Sequence, residues 1–312
     1  MTGFILAAGF GTRLKPITTH IPKALVSVAG KPLLARALDF IKNQGFESIG
    51  VNSHYLSAQI EQFRESSTVP FEIFHEEKIR GTGGALYFAR EFLAKDDIFF
   101  VLNVDIVCQF DLIPVIQFFK DSPFSCLLIA FKPSNGKGTV LFDIENRTYL
   151  GTTAETDSSS ACGADFIGAA LYKREFLSLL TDDDFTIVPV WSRAFQKGMK
   201  SGVFLMQDGY WRDIGTPQAL ARVHHDVIRK VINLDIPNCL YINSEKGYAV
   251  PRSISGLNFQ SLENAWVESE SIGTKNVIRN SVVFKNSIIE SLTPIYNSLV
   301  TPFGVISLNE HS

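Results

Sequence analysis

Charged residues stand within or close after several short motif-like stretches of this chain: Arg13, Lys23, Asp105 and Asp213. Arg13 closes the run Ile5-Leu6-Ala7-Ala8-Gly9-Phe10-Gly11-Thr12, and Pro22-Lys23 follows shortly after. A short apolar strand that ends in Gly-x-Gly lets the backbone come close to an anion, because no Cβ stands between them. The guanidinium of Arg13 adds a planar fork that matches phosphate oxygens. Neither the dinucleotide-fold spacing nor the P-loop spacing is met, so the two glycines alone are equally compatible with an ordinary tight turn between strand and helix.

Three further stretches carry chemistry. Gly81-Thr82-Gly83-Gly84 opens a helix and reads either as a flexible turn or as a backbone collar for the flat edge of a base. Ile98-Phe99-Phe100-Val101-Leu102 is continuous and apolar, as a central parallel strand should be, and it ends in Asn103-Val104-Asp105. A carboxylate at that tip faces the crevice where open α/β sheets bind ligands; the alternative is that Asp105 caps a following helix. In Trp211-Arg212-Asp213-Ile214-Gly215-Thr216-Pro217, Gly215 permits a sharp turn and Pro217 starts a helix, and Asp213 could be a hydrogen-bond acceptor within the turn.

In this order, Leu-Ala-Ala-Gly-x-Gly-Thr-Arg-Leu with Pro-Lys, Gly-Thr-Gly-Gly-Ala-Leu, Asn-x-Asp and Trp-x-Asp-Ile-Gly-Thr-Pro resemble the signatures of the sugar-1-phosphate nucleotidylyltransferases. The resemblance implies transfer of a nucleoside monophosphate from a nucleoside triphosphate to a sugar 1-phosphate, with release of pyrophosphate and dependence on Mg²⁺. It implies nucleotide contacts at Leu6, Ala7, Ala8, Gly9, Gly11, Thr12, Arg13, Gly81, Thr82, Gly83, Gly84 and Asn103. It implies sugar contacts at Asn103 and Gly168, with Asp165 a further candidate that could instead satisfy backbone donors of a turn. Asp105 and Asp213 are the implied metal ligands, and with Arg13 and Lys23 they make up the implied catalytic set. Val104 departs from the small residue usual between Asn103 and Asp105. Val51-Asn52-Ser53-His54-Tyr55-Leu56 and the glycine collar look most like N-acetylmuramate-1-phosphate uridylyltransferases, whereas the tail looks more like that of mannose-1-phosphate guanylyltransferases. The first reading is preferred, with a non-catalytic NDP-sugar-binding subunit as the alternative of a different class.

The elements that must position these residues follow a βαβαβ rhythm. Leu34, Ala37, Leu38 and Ile41 fall on one face of a helix that Gly45 closes. Ile49–Asn52 and Phe71–His75 read as strands flanking a helix from Ser57 to Arg64. Ser134–Gly138 reads as a turn, the 139–144 and 149–152 stretches as a hairpin, and 155–160 as a polar surface loop. Pro114–Lys120, Phe176–Leu180 and Val188–Lys197 read as helices, and Ser125–Phe131 and Ala164–Tyr172 as strands. The rhythm predicts an α/β, Rossmann-like three-layer sheet, mostly parallel. Residues 1–235 form the expected catalytic domain and 236–312 a β-rich segment. In that segment Asn280-Ser281-Val282-Val283, Asn286-Ser287-Ile288-Ile289 and Asn297-Ser298-Leu299-Val300 repeat one another, with a loop inserted around Thr293-Pro294. A six-residue period predicts a short left-handed β-helix, serving packing or homo-oligomerisation, with a plain β-meander as the alternative.

Composition narrows the partners. A net charge of −3 and the lack of any Lys/Arg run argue against nucleic acid. Cys108, Cys126, Cys162 and Cys239 are far apart, which argues against structural zinc and a disulfide framework. No charged leader or membrane-length apolar run is visible, so no membrane partner and a cytoplasmic location are expected.

Overall fold

The computed structural model describes residues 1–134, 136–154, 161–254, 261–270, 272, 276–289 and 294–309. The expected loop at 155–160, Asn135 of the expected turn and the Thr293 end of the expected insertion lie outside these residues. The chain packs as two compact units: Met1–Gly9 with Leu34–Trp211, and Phe10–Leu33 with Arg212–Ser312. This division by packing puts 10–33 and 212–235 in the same unit as the tail, whereas the division by motif falls at 235/236.

The first unit is built on one sheet. Its strands are β1 (Thr2–Leu6), β2 (Ser48–Ser53), β3 (Glu72–His75), β4 (Ile98–Asn103), β5 (Phe124–Phe131), β6 (Val140–Phe142), β7 (Tyr149–Thr152), β8 (Cys162–Lys173) and β9 (Lys200–Leu205). Its longer helices are α1 (Leu33–Asn43), α2 (Ser57–Ser66), α3 (Gly81–Phe88), α4 (Ile113–Asp121) and α5 (Val188–Gln196). In α1 the predicted face, Leu34, Ala37, Leu38 and Ile41, is buried, and Gly45 beyond its end takes φ +85°. The order β3-β2-β1-β4 is parallel throughout, as the rhythm predicts. Past β4 the sheet is mixed. The long strand β8 runs antiparallel to β4, β5 and β6, while β9 is parallel to β5. Both faces of β4 are covered, and Phe99 stacks on Tyr172 of β8 with centroids 5.2 Å apart. The register of β8 against β5 shifts between Phe166 and Ala169, a bulge that places Gly168 at φ +74°.

The second unit centres on α6 (Pro217–Ile228) and a stack of short strands: β10 (Leu240–Asn243), β11 (Tyr248–Pro251), β12 (Leu262–Val267), β13 (Ile278–Val283), β14 (Ser298–Thr301) and β15 (Gly304–Ser307). Strands β11 to β14 pair in parallel, which agrees with the β-helix-like expectation and not with a meander; β15 turns back antiparallel. Val267, Val283 and Val300 bury on the inside of successive coils. Asn264, Asn280 and Asn297 stand one above another before the paired stretches, all with positive φ (49°, 47° and 46°), where asparagine is tolerated better than other side chains with a Cβ. Asn264 Nδ2 donates to Asn280 Oδ1 at 2.9 Å. Asn286, also left-handed at φ +62°, belongs to the same coil as Asn280. The six-residue repeat is thus the side of a coil, and the full coil is the Asn-to-Asn interval. On the outer face, Trp266 packs against His224 of α6 at 5.2 Å.

Candidate functional site

In the first unit four of the predicted residues line a cavity of about 360 Å³. Leu6 from the end of β1, Thr82 from α3, Asn103 from the end of β4 and Gly168 from the bulge of β8 all line it, with Phe166, Ile187 and Trp191 as its apolar wall. An apolar cleft with a few convergent polar groups is what a small-molecule site looks like. Leu6 and Asn103 are neighbours across the β1–β4 pair, and the Leu6 carbonyl accepts the Val104 N–H at 3.0 Å. The Val104 side chain is buried and fills core. Asp105 is partly exposed, and the strand Ile106–Gln109 follows it, so it caps no helix.

Gly168 and Asn103 are in close contact: a Cβ at 168 would fall 2.7 Å from Asn103 Nδ2. Asp165 is buried, and its Oδ2 accepts from the backbone N–H of Ser134 at 3.0 Å and from its hydroxyl at 3.2 Å, the turn-holding arrangement. A Cβ at Gly9 would meet nothing within 4 Å.

The glycine collar has a structural cause that its sequence does not show. A Cβ at Gly83 would stand 2.5 Å from the Asp184 carbonyl, and one at Gly81 would overlap that of Phe185. These glycines let the 184–186 backbone press against α3. Thr82 Oγ1 accepts the Ile187 N–H at 2.9 Å, which fixes one wall of the cavity. The 184–186 segment is itself held by Arg193 of α5, whose fork takes both oxygens of Asp184 at 2.8 and 2.7 Å. That pairing, ahead of the opposing effect of burial, lowers the Asp184 carboxyl to about 2. Asp184 and Arg193 are absent from the sequence-derived set; neither lies in a motif, and only their contacts identify them.

In the second unit Gly11 has φ +62°, and a Cβ there would stand 3.0 Å from Lys23 Cβ and 3.0 Å from Thr18 Cγ2. The glycine therefore lets the stem of Lys23 return against the loop. Thr18 Oγ1 donates to the Gly11 carbonyl at 2.8 Å, and Lys23 is buried. Thr12 and Arg13 are exposed. Gly215 serves by close approach: a methyl there would overlap the Arg13 guanidinium and stand 2.9 Å from Asp213 Oδ1. The cation of the first motif and the carboxylate of the last are thus gathered over one glycine. Arg212, beside Asp213, donates to Asp226 Oδ2 at 2.9 Å, and Arg222 reaches the other oxygen of this buried carboxylate at 3.0 Å. This anchors the strand end that carries Asp213 to α6. Pro217 starts α6 as its sequence predicts, and the Thr216 hydroxyl caps it by accepting the Ala219 N–H. A larger cavity of about 740 Å³ lies near the end of α6 and β10 and is lined by none of the motif residues.

Asp105 of the first unit is partly exposed and Asp213 of the second is exposed. Among the described residues no three His, Cys, Asp or Glu cluster as a metal cage would require.

A family model described as nucleotidyl transferase matches residues 2–147. A mannose-1-phosphate guanyltransferase of Gibberella zeae is 27% identical over 236 residues, which cover 70% of this chain and 62% of that protein, less than two thirds of its length. An N-acetylmuramate alpha-1-phosphate uridylyltransferase of Caulobacter vibrioides is 28% identical over 231 residues, 69% of this chain and 92% of that one. Among solved structures, HddC from Yersinia pseudotuberculosis, crystallised with GMP-PN, superposes with a TM-score of 0.59 at 23% identity, over 72% of this chain and 97% of its own.

Proposed function

We propose, from the premise that this chain belongs to the nucleotidyl transferase family, that it transfers a nucleoside monophosphate from a nucleoside triphosphate to a sugar 1-phosphate and releases pyrophosphate. The observation that carries this reading is the cavity where Leu6, Thr82, Asn103 and Gly168, drawn from four separate motifs, meet. Two anionic substrates must approach each other, so the protein's task is positioning and charge compensation. An oxygen of the sugar 1-phosphate is already ionised and attacks the α-phosphorus without a protein base. Arg13 grips the β- and γ-phosphates and steadies the departing pyrophosphate, and Lys23 compensates charge at the α-phosphate. The backbone of Leu6 to Gly9, with Gly11 and Thr12, takes the triphosphate. Gly81 to Gly84 face the base, and Asn103 and Gly168 the sugar, with Asp165 holding the rim through Ser134. Asp105 and Asp213 would each offer a carboxylate to Mg²⁺, which when bound screens phosphate charge.

The glycine collar and the Val51–Leu56 segment favour UTP, and GTP is the second choice because a guanyltransferase is among the relatives. Intact Arg13, Lys23, Asp105 and Asp213 speak against a binding-only subunit. In this reading residues 1–235 are the catalytic domain and 236–312 a packing element. The exposed Ile288 and Val305 would serve there in pairing with a second copy. Among the described residues no helix is long and apolar enough to cross a membrane.

The deciding experiment is pyrophosphate release with Mg²⁺ across a panel of nucleoside triphosphates and sugar 1-phosphates. We expect release with one pair, loss of at least a thousandfold in Asp105→Ala and Asp213→Ala, and unchanged melting in both. A double variant that still releases pyrophosphate would refute the assignment.

A further inference from the structure

A buried polar chain in the first unit joins the first motif to the glycine collar. The Ala7 N–H, just past β1, donates to Asn52 Oδ1 at 2.5 Å. Asn52 Nδ2 donates in turn to Glu76 Oε1 at 2.8 Å. The other carboxylate oxygen, Oε2, accepts the N–H of Arg80, the residue before Gly81, also at 2.8 Å. Asn52 is 2% exposed and Glu76 1%. The main chain of Glu76 is pinned as well: its N–H donates to the Ser53 carbonyl at 2.8 Å, and its carbonyl lies 2.8 Å from His54 Nδ1.

The polarity of this chain admits few residue types. Both ends are backbone donors, the N–H of Ala7 and the N–H of Arg80. Two side chains between them must present an acceptor outward at each end and still bond to each other. Two amides can do so only with donor against acceptor in sequence, which leaves one end facing a second donor. One amide and one carboxylate satisfy every group. A buried carboxylate is costly, and apolar residues of like volume are often as stable, so such a group is better explained by the geometry it imposes than by stability.

We propose that Glu76 is a positioning residue that sets the glycine collar against the end of β1, so that the two segments grip one nucleotide together. The proposal rests on the reading that both segments contact the nucleotide. The Glu76 carboxylate is buried and fully engaged, so it acts through Ala7 and Arg80-Gly81 and not by touching the substrate.

The test exploits the polarity. Glu76→Gln puts an amide N–H₂ against a donor, whichever way it turns. Adding Asn52→Asp to it restores the pattern with the charge moved to the other side chain. The carboxylate introduced at position 52 would accept from Ala7 and from the new amide at position 76, whose oxygen would accept from Arg80. We expect E76Q to raise the dissociation constant for the nucleoside triphosphate, and its KM, at least tenfold, with the KM for sugar 1-phosphate changed less than twofold. N52D/E76Q should return both nucleotide constants to within threefold of wild type. The proposal is overturned if E76Q binds nucleotide like wild type, if both KM values rise together, or if the double variant is no better than the single. If E76Q does not fold, the double variant carries the test, and its failure to fold or to bind nucleotide overturns the proposal. A failure of the nucleotidyltransferase reading would show instead in the wild-type protein, which would then bind no nucleotide.

Discussion

Replacing Gly168 with alanine separates the backbone from the chemistry at the sugar side of the cavity. Gly168 holds φ +74°, a region in which an L-residue costs about 1 kcal/mol or a little more. The added Cβ would also stand 2.7 Å from Asn103 Nδ2 and 3.0 Å from Asn103 Cγ, so Asn103 must shift by several tenths of an ångström or leave its rotamer. An off-rotamer side chain costs about 1 kcal/mol. Together these give about 2 kcal/mol of destabilisation, a fall in Tm of roughly 4–8 °C for a unit of this size. Losing the hydrogen bond that Asn103 is proposed to make to the sugar would cost about 1 kcal/mol more, roughly a fivefold drop in kcat/KM for sugar 1-phosphate at saturating nucleotide. The assays are a thermal melt and steady-state pyrophosphate release at a temperature well below both transitions. In an Asn103→Ala background the overlaps with Nδ2 and Cγ vanish and only the 3.2 Å approach to Cβ remains, so G168A should then cost little beyond its backbone share. If G168A melts early yet keeps kcat/KM for sugar 1-phosphate within twofold of wild type, the pair does not face the sugar. If it melts like wild type, the overlap argument itself is wrong.

Gly83→Ala should destabilise by about 3 kcal/mol, read as a lower denaturant midpoint, because the Cβ meets the Asp184 backbone; helix propensity alone predicts the opposite sign, so a stabilised variant would refute the packing argument. His225 is a source of acid lability. Burial first, and then the charges of Arg229 and Arg222, lower its pKa from 6.5 to about 4. The unfolded chain therefore binds a proton that the folded one refuses, and stability falls as pH drops from 6.5 towards 4. The loss approaches about 3 kcal/mol at the lower end. Equilibrium denaturation of His225→Gln should show a flatter slope over that window, and an unchanged slope would contradict the assignment.

The residues proposed for the chemistry were legible because that chemistry would dictate their type. A phosphate-gripping fork calls for an arginine, proposed at Arg13, and a hard metal ligand calls for a carboxylate, proposed at Asp105 and Asp213. The βαβαβ rhythm was legible for a similar reason, since α1 buries the face its spacing predicts. What escaped was whatever depends on a partner far along the chain. The antiparallel course of β8 is one case, because a strand buried on both sides looks the same in either direction. Gly81 and Gly83 are another: nothing in their sequence shows that a Cβ at either would meet the backbone of Phe185 or Asp184. The tail shows the same limit in milder form. Its six-residue repeat was visible, but Asn264, which completes the column with Asn280 and Asn297, stands outside the repeats and became visible only when the coils stacked.

Asn52 and Glu76 mark the far end of this scale. In the sequence they are ordinary polar residues near strand ends, of the kind that usually face water. Their meaning lies in direction, since two backbone donors point at each other across two side chains, and direction has no trace in one dimension. A carboxylate at position 76 is required only once Ala7 and Arg80 are known to face it. The same reasoning applies to Asp226, which is buried between Arg212 and Arg222 and steadies the strand end that carries Asp213. In both units, then, residues named by the motifs rest on buried carboxylates that no motif names. Loss of these supports should therefore shift substrate affinities while every motif residue remains in place.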